Sequence, residues 1–434
     1  MSGSIKGRSF LRTAVFPRAA AFLSTVVLGL TLPLFGLPHS AARAGPAIER
    51  HKLADRQKLP DRPTFTAGDA ADARPEGLSG VRIAGDDPAA FQALVDDASQ
   101  ASEPWLVISG GGENGAFAAG LLNGWSEAGD RPAFGVITGV STGAMIAPFA
   151  FVGASEDGVL ARAYTEVSAA DVFEFGATPE SLTDTWPLKR RIERSVTPEL
   201  LKAVAAEHAK GRRLLVATTA VDSERPVLWD MGAIASDGGP RALALFRSVI
   251  LASSAVPGVF PPVLIEARGP DGRTFQEMHD DGGTMAPFYL APEPALVGQG
   301  RELVRLPTRS VYLVINNRLA PNFQMASRTT LSVLGRSMSA AIKAQTRTAL
   351  ALARAFADRS GIDLRVAQID GRFTATSTVP FEGRYMQALF AHGAKLGRSG
   401  TAFEHEPEGG VATGSLHTPM RQNRAEATPD VAGR

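Results

Sequence analysis

Two glycine-rich turns, each set between an apolar run of strand length and a stretch of helical periodicity, constrain this chain most. The first, Gly110-Gly111-Gly112-Glu113-Asn114-Gly115, follows WLVIS (105–109) and precedes GAFAAGLLNGWSEAG (115–129). The second, Gly139-Val140-Ser141-Thr142-Gly143, follows FGVIT (134–138) and precedes TGAMIAPFAFVG (142–153). Successive strand–turn–helix units predict parallel strands joined by crossover helices. LLVATTAV (214–221), PVLWDM (226–231), SVYLVINN (310–317) and LRVAQID (364–370) read as further strands. LALFRSVILASSAV (243–256), the Ala-, Leu- and Arg-rich stretch 327–358 and YMQALFAHGAKLGRSG (385–400) read as helices. The expected fold class is α/β, a mainly parallel sheet sandwiched by helices.

The ends of the chain differ in kind from its middle. Residues 1–44 carry Lys6, Arg8, Arg12, Arg18 and Arg43, no acid, an apolar stretch AAFLSTVVLGLTLPLFGL, and Ala42-Arg43-Ala44 before Gly45. That is the pattern of a signal peptide, with a membrane anchor as the alternative, so the protein is expected to be exported to the periplasm or beyond. Setting those five basic residues aside leaves 40 basic against 44 acidic side chains, a net charge of −4 that gives no field for nucleic acid. With no cysteine, disulfides and thiolate chemistry are excluded. Residues 45–102 read as a polar extension holding one short helix, PAAFQALVDDASQ. Residues 103–300 read as the catalytic core, 301–404 as the rest of the same α/β domain, and 405–434 as a disordered tail.

The first turn fits G-x-G-x-x-G, the layout of a dinucleotide-binding loop. That reading demands an acid at the end of the next strand to hold a ribose. FGVIT instead runs into G-x-S-x-G, and the nearest acid, Asp130, precedes the strand. A serine on a sharp strand-to-helix turn exposes its hydroxyl above the sheet, and the following helix directs free N–H groups and its positive end at the site. Gly110, Gly111 and Gly112 then suit an oxyanion as well as a phosphate, because both call for backbone donors. One such donor is typically worth about 3–4 kcal/mol in an acyl-transfer transition state. A serine also needs a base. Farther along, Glu277-Met278-His279-Asp280-Asp281-Gly282-Gly283 offers an aspartate in a loop whose glycines leave its approach open.

Together these segments resemble the patatin-like phospholipase family. GGGENG at 110–115, including Gly115, stands where that family has its oxyanion loop. GVSTG from Gly139 to Gly143 stands at the nucleophile elbow, and Asp281-Gly282-Gly283 at the distant D-G-G. Ala252-Ser253-Ser254-Ala255-Val256-Pro257 and Phe260-Pro261-Pro262 are similar to a further family segment. The resemblance implies a patatin-like fold and a Ser–Asp dyad, with Ser141 as nucleophile, Asp281 as base and the Gly110–Gly112 amides as oxyanion hole; Asp280 competes with Asp281. It also implies a lipid ester substrate met at a membrane or micelle surface, with no cofactor and no metal. The family's basic residue at the fifth loop position is replaced by Asn114, which adds no charge and argues against an anionic head group.

Two rival readings remain. The chain order Ser141, Asp281, His392 allows a Ser-His-Asp esterase acting on non-lipid esters, and His279 lies two residues from Asp281. A nucleotide-binding or non-enzymatic protein would keep the glycine loop for structure alone.

Overall fold

The computed structural model describes residues 61–176, 180–298, 304–323, 325–377 and 379–403. The signal pattern of 1–44 and the tail of 405–434 lie outside them. Twelve strands occur among the described residues. They are β1 (Arg74–Pro75), β2 (Arg82–Ala84), β3 (Trp105–Ile108), β4 (Val136–Gly139), β5 (Glu174–Phe175) and β6 (Thr183–Asp184). The rest are β7 (Arg213–Ala220), β8 (Arg225–Asp230), β9 (Val263–Arg268), β10 (Thr274–Asp281), β11 (Ser310–Ile315) and β12 (Asp363–Gln368). β5 and β6 form a small pair; the others make one sheet.

β12, β11, β3, β4 and β7 run parallel, joined in that order. Their residues alternate between two cores. Leu106, Ile108, Ile137 and Leu214 belong to one, and Trp105, Val107, Val136 and Leu215 to the other. Burial on both faces is why these strands read as unbroken apolar runs. The remaining strands are antiparallel, and two of them, β1 and β2, come from the polar stretch before residue 103.

β7 organises the site. β8 covers one of its edges from Leu215 to Ala220. The other edge is shared. β4 takes its first half, ending at Gly139↔Val216, and β10 arrives antiparallel along its second half, ending at Asp281↔Thr218. The ends of β4 and β10 therefore point at each other, two residues of β7 apart, or about 7 Å.

Helix Gly115–Ala128, which begins at the first glycine turn, is held by helix Gly383–Ser399 at near backbone contact. A Cβ on Gly120 would lie 2.0 Å from the Phe390 carbonyl oxygen, and one on Gly124 2.0 Å from that of Ala394. From the opposite side, a Cβ on Gly393 or Gly397 would come within 2.3 Å of the Phe117 or Leu121 carbonyl. Among the described residues no helix is long and apolar enough to cross a membrane.

This close approach generates a prediction. Gly124→Leu should destabilise the fold by about 2–3 kcal/mol or more through overpacking. Lys395→Ala, on the exposed side of the partner helix, should stay within about 0.5 kcal/mol. Urea denaturation of both variants measures the difference.

Candidate active site

Ser141 lies between β4 and helix Thr142–Val152 with φ 56° and ψ −124°. A positive φ at a residue with a Cβ costs on the order of 1–3 kcal/mol and persists only where its surroundings enforce it. The enforcement is visible. The Ser141 N–H donates to Ser253 Oγ at 3.0 Å, and Ser253 Oγ–H donates to the Ala217 carbonyl on β7 at 2.7 Å. Gly143 must be glycine, since a Cβ there would lie 2.3 Å from the Ile108 carbonyl oxygen.

Asp281 is the last residue of an eight-residue strand, not part of a loop as the sequence suggests. Its carboxyl is buried against the Ser141 side chain and accepts the Gly283 N–H at 2.7 Å. Its own N–H donates to the Ala255 carbonyl at 2.9 Å. Segment 253–255 thus braces both residues. Burial raises the Asp281 pKa to about 7; the Ser141 and Gly283 hydrogen bonds work against that rise, and the Asp280 charge adds to it. Asp280 points to the opposite face of the strand. Burial raises its pKa to about 6 against hydrogen bonds with Thr284 and Thr219. Of the two competing aspartates, Asp281 is the one in contact with Ser141.

The glycine loop lies against the serine. A Cβ on Gly110 would stand 3.2 Å from Ser141 Cβ and 3.8 Å from its Oγ. The Gly110 N–H donates to the Pro287 carbonyl at 3.0 Å, so it is not an open oxyanion donor; this corrects the sequence-based set of three. Gly111 and Gly112 have φ 156° and 58°. Asn316, fully buried just past β11, fixes the loop from behind. Its N–H donates to Ser109 Oγ at 2.8 Å and its side-chain amide to the Ser109 carbonyl at 2.9 Å. Its Oδ1 accepts the Ala118 N–H at 3.2 Å, and Ser109 Oγ–H donates to the Gly110 carbonyl at 2.7 Å.

The histidines stand elsewhere. His392 packs on Phe117 and Phe373, with Nε2 3.8 Å from Asp370. Asp370 follows β12, three strands from β4, which is about 14 Å at ordinary strand spacing. His279 is fully buried, with Nδ1 3.0 Å from Thr218 Oγ1 and Nε2 3.6 Å from Glu277. Burial lowers its pKa, with Glu277 opposing, so at neutral pH the ring is an uncharged packing group.

Sequence reasoning missed the positioning roles of Ser253 and Asn316. Ser253 stands in a recognised segment but carries no signal of its target. Asn316 shows only as a polar residue ending an apolar run.

An exposed-backbone glycine loop, a strained serine and a buried carboxylate, brought together at the strand ends, form the layout of an acyl-transfer site. Residues 106–292 match the Patatin family model, described as patatin-like phospholipase. Members of the family are lipid acyl hydrolases. Among solved structures the chain is similar to the crystal structure of VipD from Legionella pneumophila, at 13% identity and a TM-score of 0.28, over 69% of this chain and 67% of that one. Comparison with curated proteins finds no match.

Ser253→Ala leaves the buried Ser141 N–H without its acceptor. The expected loss is about 1–3 kcal/mol of stability, with a fall in kcat larger than any change in KM. Denaturation and steady-state kinetics on the same preparation check both.

Proposed function

We propose that the protein hydrolyses carboxylic ester bonds of lipids, as a phospholipase A or lysophospholipase, through a Ser141–Asp281 dyad and an acyl-enzyme. The observation that carries the reading is the pairing of the Ser141 side chain with a buried carboxyl whose pKa is raised to about 7. A general base works best when its pKa lies near the working pH. An ordinary aspartate near 3.9 is too weak a base for a serine hydroxyl.

Ser141 Oγ attacks the ester carbonyl carbon, and its proton passes to the Asp281 carboxylate. The carbonyl oxygen becomes an oxyanion, which the Gly111 and Gly112 amides stabilise. As the intermediate collapses, the alcohol leaves with the proton from Asp281 and the acyl group stays on Ser141. Water then gives a proton to Asp281 and attacks the acyl carbon, and Ser141 leaves with that proton. No histidine is required, and the distance of His392 from Ser141 favours this scheme over the Ser-His-Asp alternative. The basic-then-apolar pattern of residues 1–44 supports export as the route to a lipid surface.

The reading is tested by incubating mixed lipids with wild type and Ser141→Ala; an ester lost only with the wild type identifies the substrate, and no difference defeats the proposal. His392→Ala should keep kcat within about threefold of wild type, whereas loss of a triad histidine costs several orders of magnitude.

The pH dependence has a definite sign. Asp281 must be ionised to act, so kcat/KM should fall about tenfold per pH unit well below 7 and reach a plateau above it. For stability the sign reverses. A carboxyl whose pKa is raised on folding is favourable when protonated, and its contribution is lost as pH rises through about 7. Asp281→Asn should therefore abolish turnover yet raise the melting temperature at pH 8, with the gain shrinking toward pH 4. Thermal melts across that range follow it.

A further inference from the structure

The loop lacks a cation at Asn114, but the space beside it does not. A cavity of about 390 Å³ has Glu113 and Asn114 in its wall and is closed by Arg318, Arg336 and Lys343 from beyond β11. Arg336, Ser339 and Lys343, at helical spacing on helix Thr330–Ser360, face it together. Three cations thus meet one carboxylate, and the Glu113 carboxyl is turned to accept the Phe381 N–H.

The partners that hold Lys343 and Arg318 are neutral. Lys343 Nζ donates to Asn322 Oδ1 at 2.7 Å and the Ala320 carbonyl at 3.5 Å. Arg336 donates to the Asn322 carbonyl at 3.0 Å, and Arg318 to the Phe373 carbonyl. Among the described residues neither Arg318 nor Lys343 forms an ion pair with a carboxylate. Burial lowers the Lys343 pKa, and repulsion from Arg336, Arg318 and Arg347 lowers it further. Like charges gathered at a cavity work against folding, which is the arrangement expected where an anion completes the set. Phe323, also in the wall, is 92% exposed and gives the rim an apolar edge suited to an anion carried by a lipid.

We propose that this cavity binds a phosphate group, that of the lipid substrate, with Arg318, Arg336 and Lys343 replacing the cation absent at position 114. Calling the ligand a substrate rests on the ester-hydrolase reading; phosphate binding does not. The wall at Glu113 begins one residue, about 3.8 Å, beyond Gly112. A head group held there lies beside the loop that carries the proposed oxyanion donors. The earlier inference from Asn114, that anionic head groups are disfavoured, is reversed by side chains more than 200 positions away in the chain.

The test uses the full chain as Ser141→Ala, titrated by calorimetry with dibutanoyl phosphatidylglycerol and, separately, inorganic phosphate. Arg336→Gln with Lys343→Met should weaken lipid binding by about tenfold or more; Arg336→Lys with Lys343→Arg should restore most of it, and melting curves verify that each variant folds. Unchanged lipid binding in the charge-removing variant overturns the proposal. Inorganic phosphate binding as tightly as the lipid overturns the substrate assignment and leaves a free-anion site. Failure of the wild type to cleave any ester would defeat the proposed function while leaving the binding result standing.

Discussion

One edge of β7 determines everything at the site. Because β4 and β10 approach along that edge from opposite directions, their C-terminal ends meet end to end at Val216 and Thr218. Whatever follows β4 faces whatever ends β10. The chain puts a serine after the first and an aspartate at the end of the second. Residues 140 positions apart in sequence are joined by a register fixed through backbone hydrogen bonds, which is stiffer than any loop closure.

That geometry has an energetic consequence. Burying the Asp281 carboxyl and holding Ser141 at positive φ both work against stability. Bonds from outside the pair offset the cost. Ser253 accepts the Ser141 amide, Ala255 accepts the Asp281 amide, and Gly283 donates to the carboxylate. Asn316 does the same for the glycine loop, tying Ser109 and Ala118 to the end of β11. The strain at the centre is thus carried by ordinary hydrogen bonds around it, a distribution common in sites that trade stability for reactivity.

How much of this the sequence discloses follows from range. The strand–turn–helix units at 105–129 and 134–153 are legible because apolar periodicity and glycine punctuation are local. Ser141 is legible for the same reason. Asp281 is legible as a residue but not as a strand end, because β10, which follows a Gly-Pro-Asp-Gly turn, is mostly polar with only Phe275 and Met278 apolar and shows no apolar run. The engagement of the Gly110 amide by Pro287, the brace at Ser253 and the lock at Asn316 depend on contacts 112 to 207 residues apart. So does the cation cluster facing Asn114. Nothing in a local window carries such pairings.

The central claim is that the Asp281 carboxylate activates the Ser141 hydroxyl. Its most direct measurement is the rate at which a fluorophosphonate labels the protein, with the modified residue identified by peptide mass spectrometry. The account predicts a single label on Ser141, slowed by about a hundredfold or more in Asp281→Asn at pH 8. Labelling of another residue, or of Ser141 at an unchanged rate in that variant, would contradict it.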